Sequence, residues 1–85
     1  MRIVITGGAG FIGSNAAAYY LSKNAEVIIF DNLSRKNTDK NLAWLKSLGG
    51  KLTFIKGDLR KTTEVGKLMS FLKNADAVLH LAAQV

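Results

Sequence analysis

The stretch Ile3-Val4-Ile5-Thr6-Gly7-Gly8-Ala9-Gly10-Phe11-Ile12-Gly13-Ser14-Asn15 sets the limits on what this chain can fold into. It starts as a β-branched apolar run, breaks into four glycines within seven residues and continues as an alanine-rich helical pattern. A strand, a tight turn and a helix N-terminus therefore follow one another directly. The first turn of a helix carries backbone N–H groups without intrahelical partners, and the macrodipole is positive there. Glycines allow an anion to come close to that backbone. A pyrophosphate is the natural occupant, and a dinucleotide would further require an acidic residue about 20 positions on.

The rest of the chain repeats the alternation. Residues 2–6 read as a strand buried on both faces, as in a parallel sheet. Phe11, Ile12, Ala16, Tyr19, Tyr20 and Lys23 recur at helical spacing and predict a helix from Phe11 to Lys23. Asn24 stands where a left-handed cap is expected. Residues 26–30 form a second strand with Asp31 at its carboxyl end. A polar loop, 32–37, leads to a helix capped by Thr38 or Asp39 and running to Leu48. Its apolar stripe is Leu42, Leu45 and Leu48, widened by Trp44, and Gly49-Gly50 stops it. Residues 52–56 are a third strand, followed by the turn Gly57-Asp58-Leu59-Arg60. A third helix starts after Thr62 or Thr63, carries Val65, Leu68, Met69 and Leu72 on one face, and ends near Lys73. Residues 77–81 are a fourth strand. The order β-α-β-α-β-α-β predicts an α/β fold with a parallel sheet of strand order 3-2-1-4, half of a doubly wound domain. The fourth strand should be central in a complete sheet, so residues 1–85 read as the N-terminal fragment of a longer protein. On their own they would leave that strand as an apolar edge.

Composition closes off other classes. The chain has 85 residues, 48% hydrophobic and 21% charged, which suits one small globular domain. No apolar run approaches the ~20 residues of a membrane span, and no signal-peptide pattern is present. The absence of cysteine removes disulfides and a thiol nucleophile, and a single histidine argues against a histidine metal site. A cytoplasmic setting follows. The net charge of +6 comes from scattered bases whose only adjacent pairs are Arg35-Lys36 and Arg60-Lys61. That is no nucleic-acid stripe, though it suits an anionic ligand.

Several residues carry candidate chemistry. Gly8, Gly10 and Gly13 fit G-x-G-x-x-G, and Gly7, Gly10 and Gly13 fit G-x-x-G-x-x-G. Asp31 follows Gly13 by 18 residues, at the carboxyl end of a strand, where its carboxylate can accept from both hydroxyls of an adenosine ribose. It would repel a 2′-phosphate, favouring NAD over NADP, although Arg35 and Lys36 are nearby bases that could accommodate one. Asp58 could accept from an adenine amino group, with Leu59 against the ring, or could simply form a turn. His80, internal to an apolar strand, reads as a satisfied core or edge residue. Tyr19 and Lys23 have Y-x-x-x-K spacing but lie at the far end of their helix, away from the strand carboxyl ends where α/β sites form.

Thr6 to Ser14, Asp31-Asn32-Leu33-Ser34, Gly57-Asp58-Leu59-Arg60 and His80-Leu81-Ala82-Ala83 together resemble the extended short-chain dehydrogenase/reductases, the NAD-dependent nucleotide-sugar epimerases and dehydratases. The resemblance implies a Rossmann-type three-layer sandwich. It implies that Gly7, Gly10, Phe11 and Ile12 bind pyrophosphate and that Asp31 and Asn32 bind the adenosine ribose, with Ser34 and Arg35 close by. Asp58 and Leu59 would hold adenine, and Leu81, Ala82, Ala83 and Gln84 would line the way to the nicotinamide ribose. Ala16 departs from the family, where many members have leucine. Phe30 to Lys36, Asn41 to Leu45 and Gln84-Val85 are most similar to the branch of 2-epimerases acting on CDP-linked sugars, with 4-epimerases, 4,6-dehydratases and non-catalytic dinucleotide-binding modules as the alternatives. The family's catalytic Ser/Thr and Tyr-x-x-x-Lys fall downstream, so residues 1–85 carry no catalytic residue and are expected to be inactive alone, with weak or no NAD affinity. The whole protein is expected to take a nucleotide-sugar substrate and to form a homo-oligomer.

Overall fold

β-Branched and aromatic runs separated by helical segments settle into seven elements in a computed structural model. It describes residues 1–33, 37–58 and 62–81, the backbone alone at 62–65 and 67. The elements are β1 (Arg2–Thr6), α1 (Phe11–Ser22), β2 (Glu26–Asp31), α2 (Thr38–Ser47), β3 (Lys51–Lys56), α3 (Thr62–Leu72) and β4 (Ala77–His80). All neighbouring strands run parallel in the order β3-β2-β1-β4, as the alternation predicted. Ile5 is level with Ile29 of β2 and Leu79 of β4.

Period-two side-chain alternation splits the core into two layers. Ile3, Ile5, Val27 and Ile29 pack with Ala17, Leu21 and Leu45, so α1 and α2 cover one face. Val4, Ile28 and Phe30 pack with Leu68, so α3 covers the other. β1 and β2 are accordingly buried on both faces, and fully burying each Val, Ile or Phe side chain there contributes about 1.5–3 kcal/mol. β4 is different. Ala77, Val78 and His80 are exposed, and among the described residues β4 pairs only with β1. This is the apolar edge expected from the sequence.

Two details depart from the periodicity. The buried face of α1 is Gly13, Ser14, Ala17 and Leu21, whereas Phe11 and Ile12 are 79% and 70% exposed. Spacing favours the largest apolar residues as the core face. Here the first turns approach through small residues, since a Cβ on Gly13 would lie 2.5 Å from the Gly7 carbonyl oxygen. Likewise Trp44 and Leu48 remain partly exposed while Leu42 and Leu45 are buried. The cap of α2 is Asn37, in the left-handed region at φ 68°, in place of Thr38 or Asp39. Asn24 adopts the left-handed conformation predicted for it, with φ 62°. Among the described residues no helix is long and apolar enough to cross a membrane.

Candidate functional site

Four strand ends and one helix N-terminus meet at the carboxyl edge of the sheet. The ladders continue past the strands: Gly7 N–H donates to the Phe30 carbonyl at 2.8 Å, Gly57 N–H to the Asp31 carbonyl at 3.1 Å, and Leu81 N–H to the Thr6 carbonyl at 2.9 Å. Gly7, Asp31, Gly57 and Leu81 are therefore held side by side along one edge. Asp58, which follows Gly57, lies on the same edge and is half-buried.

The glycines divide by role. Gly7 turns the chain at φ 74°, a conformation costly for any residue with a Cβ. Gly8 lies on Ile29, where a Cβ would come within 2.8 Å of that side chain. Gly13 packs backbone to backbone, and a Cβ there would sit 2.5 Å from the Gly7 carbonyl oxygen and 2.7 Å from the Gly8 Cα. Gly10 is the exception. Its φ of −72° suits any residue, and a Cβ would meet only the Gly7 carbonyl oxygen, at 3.4 Å. Packing of the fold does not require glycine at this position; close approach of a ligand to the helix end would.

α1 begins without a side-chain cap and without an acidic residue in its first turn. Its first backbone bond runs from Ser14 N–H to the Gly10 carbonyl, 2.8 Å. The N–H groups of Phe11, Ile12 and Gly13 precede that bond, and no acid of the helix's own first turn stands against the positive end of the dipole. The exposure of Phe11 and Ile12 leaves this end open. A diphosphate is the group whose charge and acceptor oxygens fit such a cradle.

Asp31 stands beside it. One carboxylate oxygen accepts from Ala9 N–H at 3.1 Å and the other from Leu33 N–H at 2.8 Å. The second contact holds Leu33 in the left-handed region at φ 59°. A carboxylate in this place, at a strand end beside the glycine turn, has the charge and the acceptor oxygens that suit the hydroxyls of a ribose. Asn32 follows directly and is half-buried. His80 Nδ1 lies 2.6 Å from the Thr6 hydroxyl, so the histidine is the satisfied edge residue that its strand context suggested. Tyr19 and Lys23 contact one another at the other end of α1, with Nζ 5.6 Å from the ring centroid. Of the predicted site residues, Gly7, Gly10, Phe11, Ile12, Asp31, Asn32, Asp58 and Leu81 occupy this edge. Ser34, Arg35, Leu59, Ala82, Ala83 and Gln84 lie outside the described residues.

Sequence reasoning missed Asn41 as a site residue. Its side-chain amide donates to the Ala9 carbonyl at 2.8 Å, across from α2 to the glycine turn. No motif spacing marks it, since the contact spans 32 residues.

Comparison with known proteins agrees with this geometry. The model of the NAD dependent epimerase/dehydratase family matches residues 3–85. The chain belongs to that family. Among its members, the CDP-paratose 2-epimerase of Salmonella typhi is 47% identical over 85 residues, covering all of this chain and 25% of its own length. UDP-arabinose 4-epimerase 1 of Arabidopsis thaliana is 45% identical over 85 residues, covering 96% of this chain and 20% of its own. In structure, the UDP-glucose 4-epimerase of Bifidobacterium longum, solved with NAD+ and UDP, superposes with a TM-score of 0.82 at 28% identity, over 99% of this chain and 25% of that one. The chain thus spans a quarter or less of the length of these family members.

Proposed function

We propose that residues 1–85 form the adenosine-binding part of the NAD site in a nucleotide-sugar epimerase. The observation that carries this reading is the Asp31 carboxylate, fixed by two backbone N–H groups beside a helix N-terminus that has no side-chain cap and no acid in its own first turn. Gly7, Gly10, Phe11 and Ile12 bind the pyrophosphate. Asp31 and Asn32 bind the ribose with Ser34 and Arg35 nearby, Asp58 and Leu59 hold the adenine, and Leu81 to Gln84 lead toward the nicotinamide ribose. When bound, NAD supplies a place for a hydride to be stored and returned. The residues of this chain hold and orient it, and the proton-transfer groups belong to the remainder of the protein. The negative charge of Asp31 selects NAD over NADP by repelling a 2′-phosphate.

The substrate is a CDP-linked sugar epimerised at carbon 2. Similarity to the Salmonella CDP-paratose 2-epimerase over the whole chain supports this, together with Phe30 to Lys36 and Asn41 to Leu45. A UDP-sugar 4-epimerase is the second reading, supported by the comparable identity to the Arabidopsis enzyme. Within the first reading the protein works in the cytoplasm as a homo-oligomer, on small anionic molecules rather than nucleic acid or membrane.

Calorimetric titration of the whole protein with NAD and NADP tests the site. NAD is expected to bind at least about tenfold more tightly than NADP, and Asp31→Asn to weaken NAD by about tenfold or more, in keeping with the loss of charge-assisted hydrogen bonds. Equal affinity for the two dinucleotides, or an unchanged Asp31→Asn, would overturn the assignment. Turnover of CDP-paratose but not UDP-glucose separates the two substrate readings.

A further inference from the structure

The Ala9 peptide groups are buried, with the residue 0% exposed, yet they belong to neither a helix nor a strand ladder. Buried backbone groups need partners, and here both come from side chains on other elements. The N–H donates to Asp31 at the end of β2. The carbonyl accepts from Asn41 in the second turn of α2. Because a carbonyl only accepts, the amide face presented by Asn41 must be its NH2 group. The carbonyl of Ala9 shares its peptide plane with Gly10 N–H, which donates to the Gly7 carbonyl at 3.1 Å. Asn41 thus fixes one side of that plane and Gly7 the other. The plane delivers the chain into Gly10 and the first turn of α1, where the open N–H groups lie.

We propose that Asn41 is a positioning residue: by holding the Ala9 carbonyl it sets the tilt of the Ala9–Gly10 peptide, and so aims the N–H groups at the start of α1 toward a diphosphate. It touches no part of the ligand itself. The proposal rests on the dinucleotide reading above and extends it from the residues facing the ligand to one on α2. It also assigns α2 a task besides covering the sheet, since Leu42 and Leu45 pack inward while Asn41, one residue earlier, reaches the turn.

Two variants of the whole protein test it. Asn41→Asp keeps the shape but removes the donor, and Asn41→Ala removes both. Each is titrated with NAD, with ADP, which has the diphosphate, and with adenosine, which lacks it. Amide exchange of residues 7–13 is followed in the ligand-free protein. Losing one buried hydrogen bond is expected to weaken NAD and ADP by about five- to tenfold while adenosine changes by less than about twofold, and to speed exchange at Ala9 and Gly10 by a similar factor. Equal losses for ADP and adenosine would show a general structural role and overturn the proposal, as would unchanged ADP affinity in either folded variant. Failure of the unsubstituted protein to bind NAD would instead overturn the dinucleotide reading, and this inference with it. Should Asn41→Asp not fold, Asn41→Ala decides alone.

Discussion

Gly10 and Gly13 look alike in the sequence and answer to different demands. At Gly13 a methyl group would collide with backbone atoms on both Gly7 and Gly8, which cannot rotate away. Gly13→Ala is therefore expected to destabilise the fold by about 1–3 kcal/mol, read from denaturant unfolding. Gly10→Ala meets almost nothing and keeps an ordinary φ. Its expected cost is at most about 1 kcal/mol, that of a poorer helix cap. Yet, on the dinucleotide reading proposed above, it should weaken NAD by about tenfold, because the added methyl would stand where the pyrophosphate comes close. If Gly10→Ala unfolded the protein and Gly13→Ala did not, the division of roles would be reversed. Asp31 was legible for a related reason: a carboxylate at a strand end, at the right distance from a glycine turn, has few other uses. Asn41 was not, because a side chain acting on a distant backbone carbonyl leaves no periodicity or spacing behind.

At the scale of the element, the seven segments and their order could be read from the sequence because β-branched runs and helical spacing alternate without ambiguity. What spacing did not reveal was which side of α1 faces the sheet. Period and size compete there: Phe11 and Ile12 are large, but Gly13, Ser14 and Ala17 are small enough to let the first turns lie close, and Leu21 fills the core beyond them. Start positions were also displaced by one or two residues, as at Asn37, since a left-handed cap is set by the preceding loop rather than by the helix sequence. α3 offers a clean test of propensity. Gly66 is exposed, and a Cβ placed on it would meet no atom within 4 Å. Gly66→Ala should therefore stabilise the protein by about 1 kcal/mol through backbone entropy alone. A midpoint of unfolding that stayed put or fell would show that this turn of α3 is not helical in solution.

The whole molecule is unevenly finished. β2 and β1 are covered on both faces, whereas β4 presents Val78, 49% exposed, and Met69 of α3 stands out at 57%. An exposed apolar strand that, among the described residues, pairs on one side alone invites pairing with another chain. An isolated polypeptide of residues 1–85 is expected to self-associate, and Val78→Lys to shift it toward monomer in sedimentation velocity. A monomeric parent peptide, or association untouched by the lysine, would contradict this. The strand order 3-2-1-4, and with it the place of β4 at an edge, was legible because right-handed crossovers leave few topologies for this alternation.

That order also fixes a history. Ile3 lies beside Val27 on one side and Ala77 on the other, partners 24 and 74 residues along the chain. Closing the longer loop costs about 1 kcal/mol more in entropy. A ribosome delivers β2 long before β4, so the first strand to be made is the last to be enclosed. The glycine turn between β1 and α1 can take shape with its Asp31 and Asn41 partners while the opposite side of β1 is still in water.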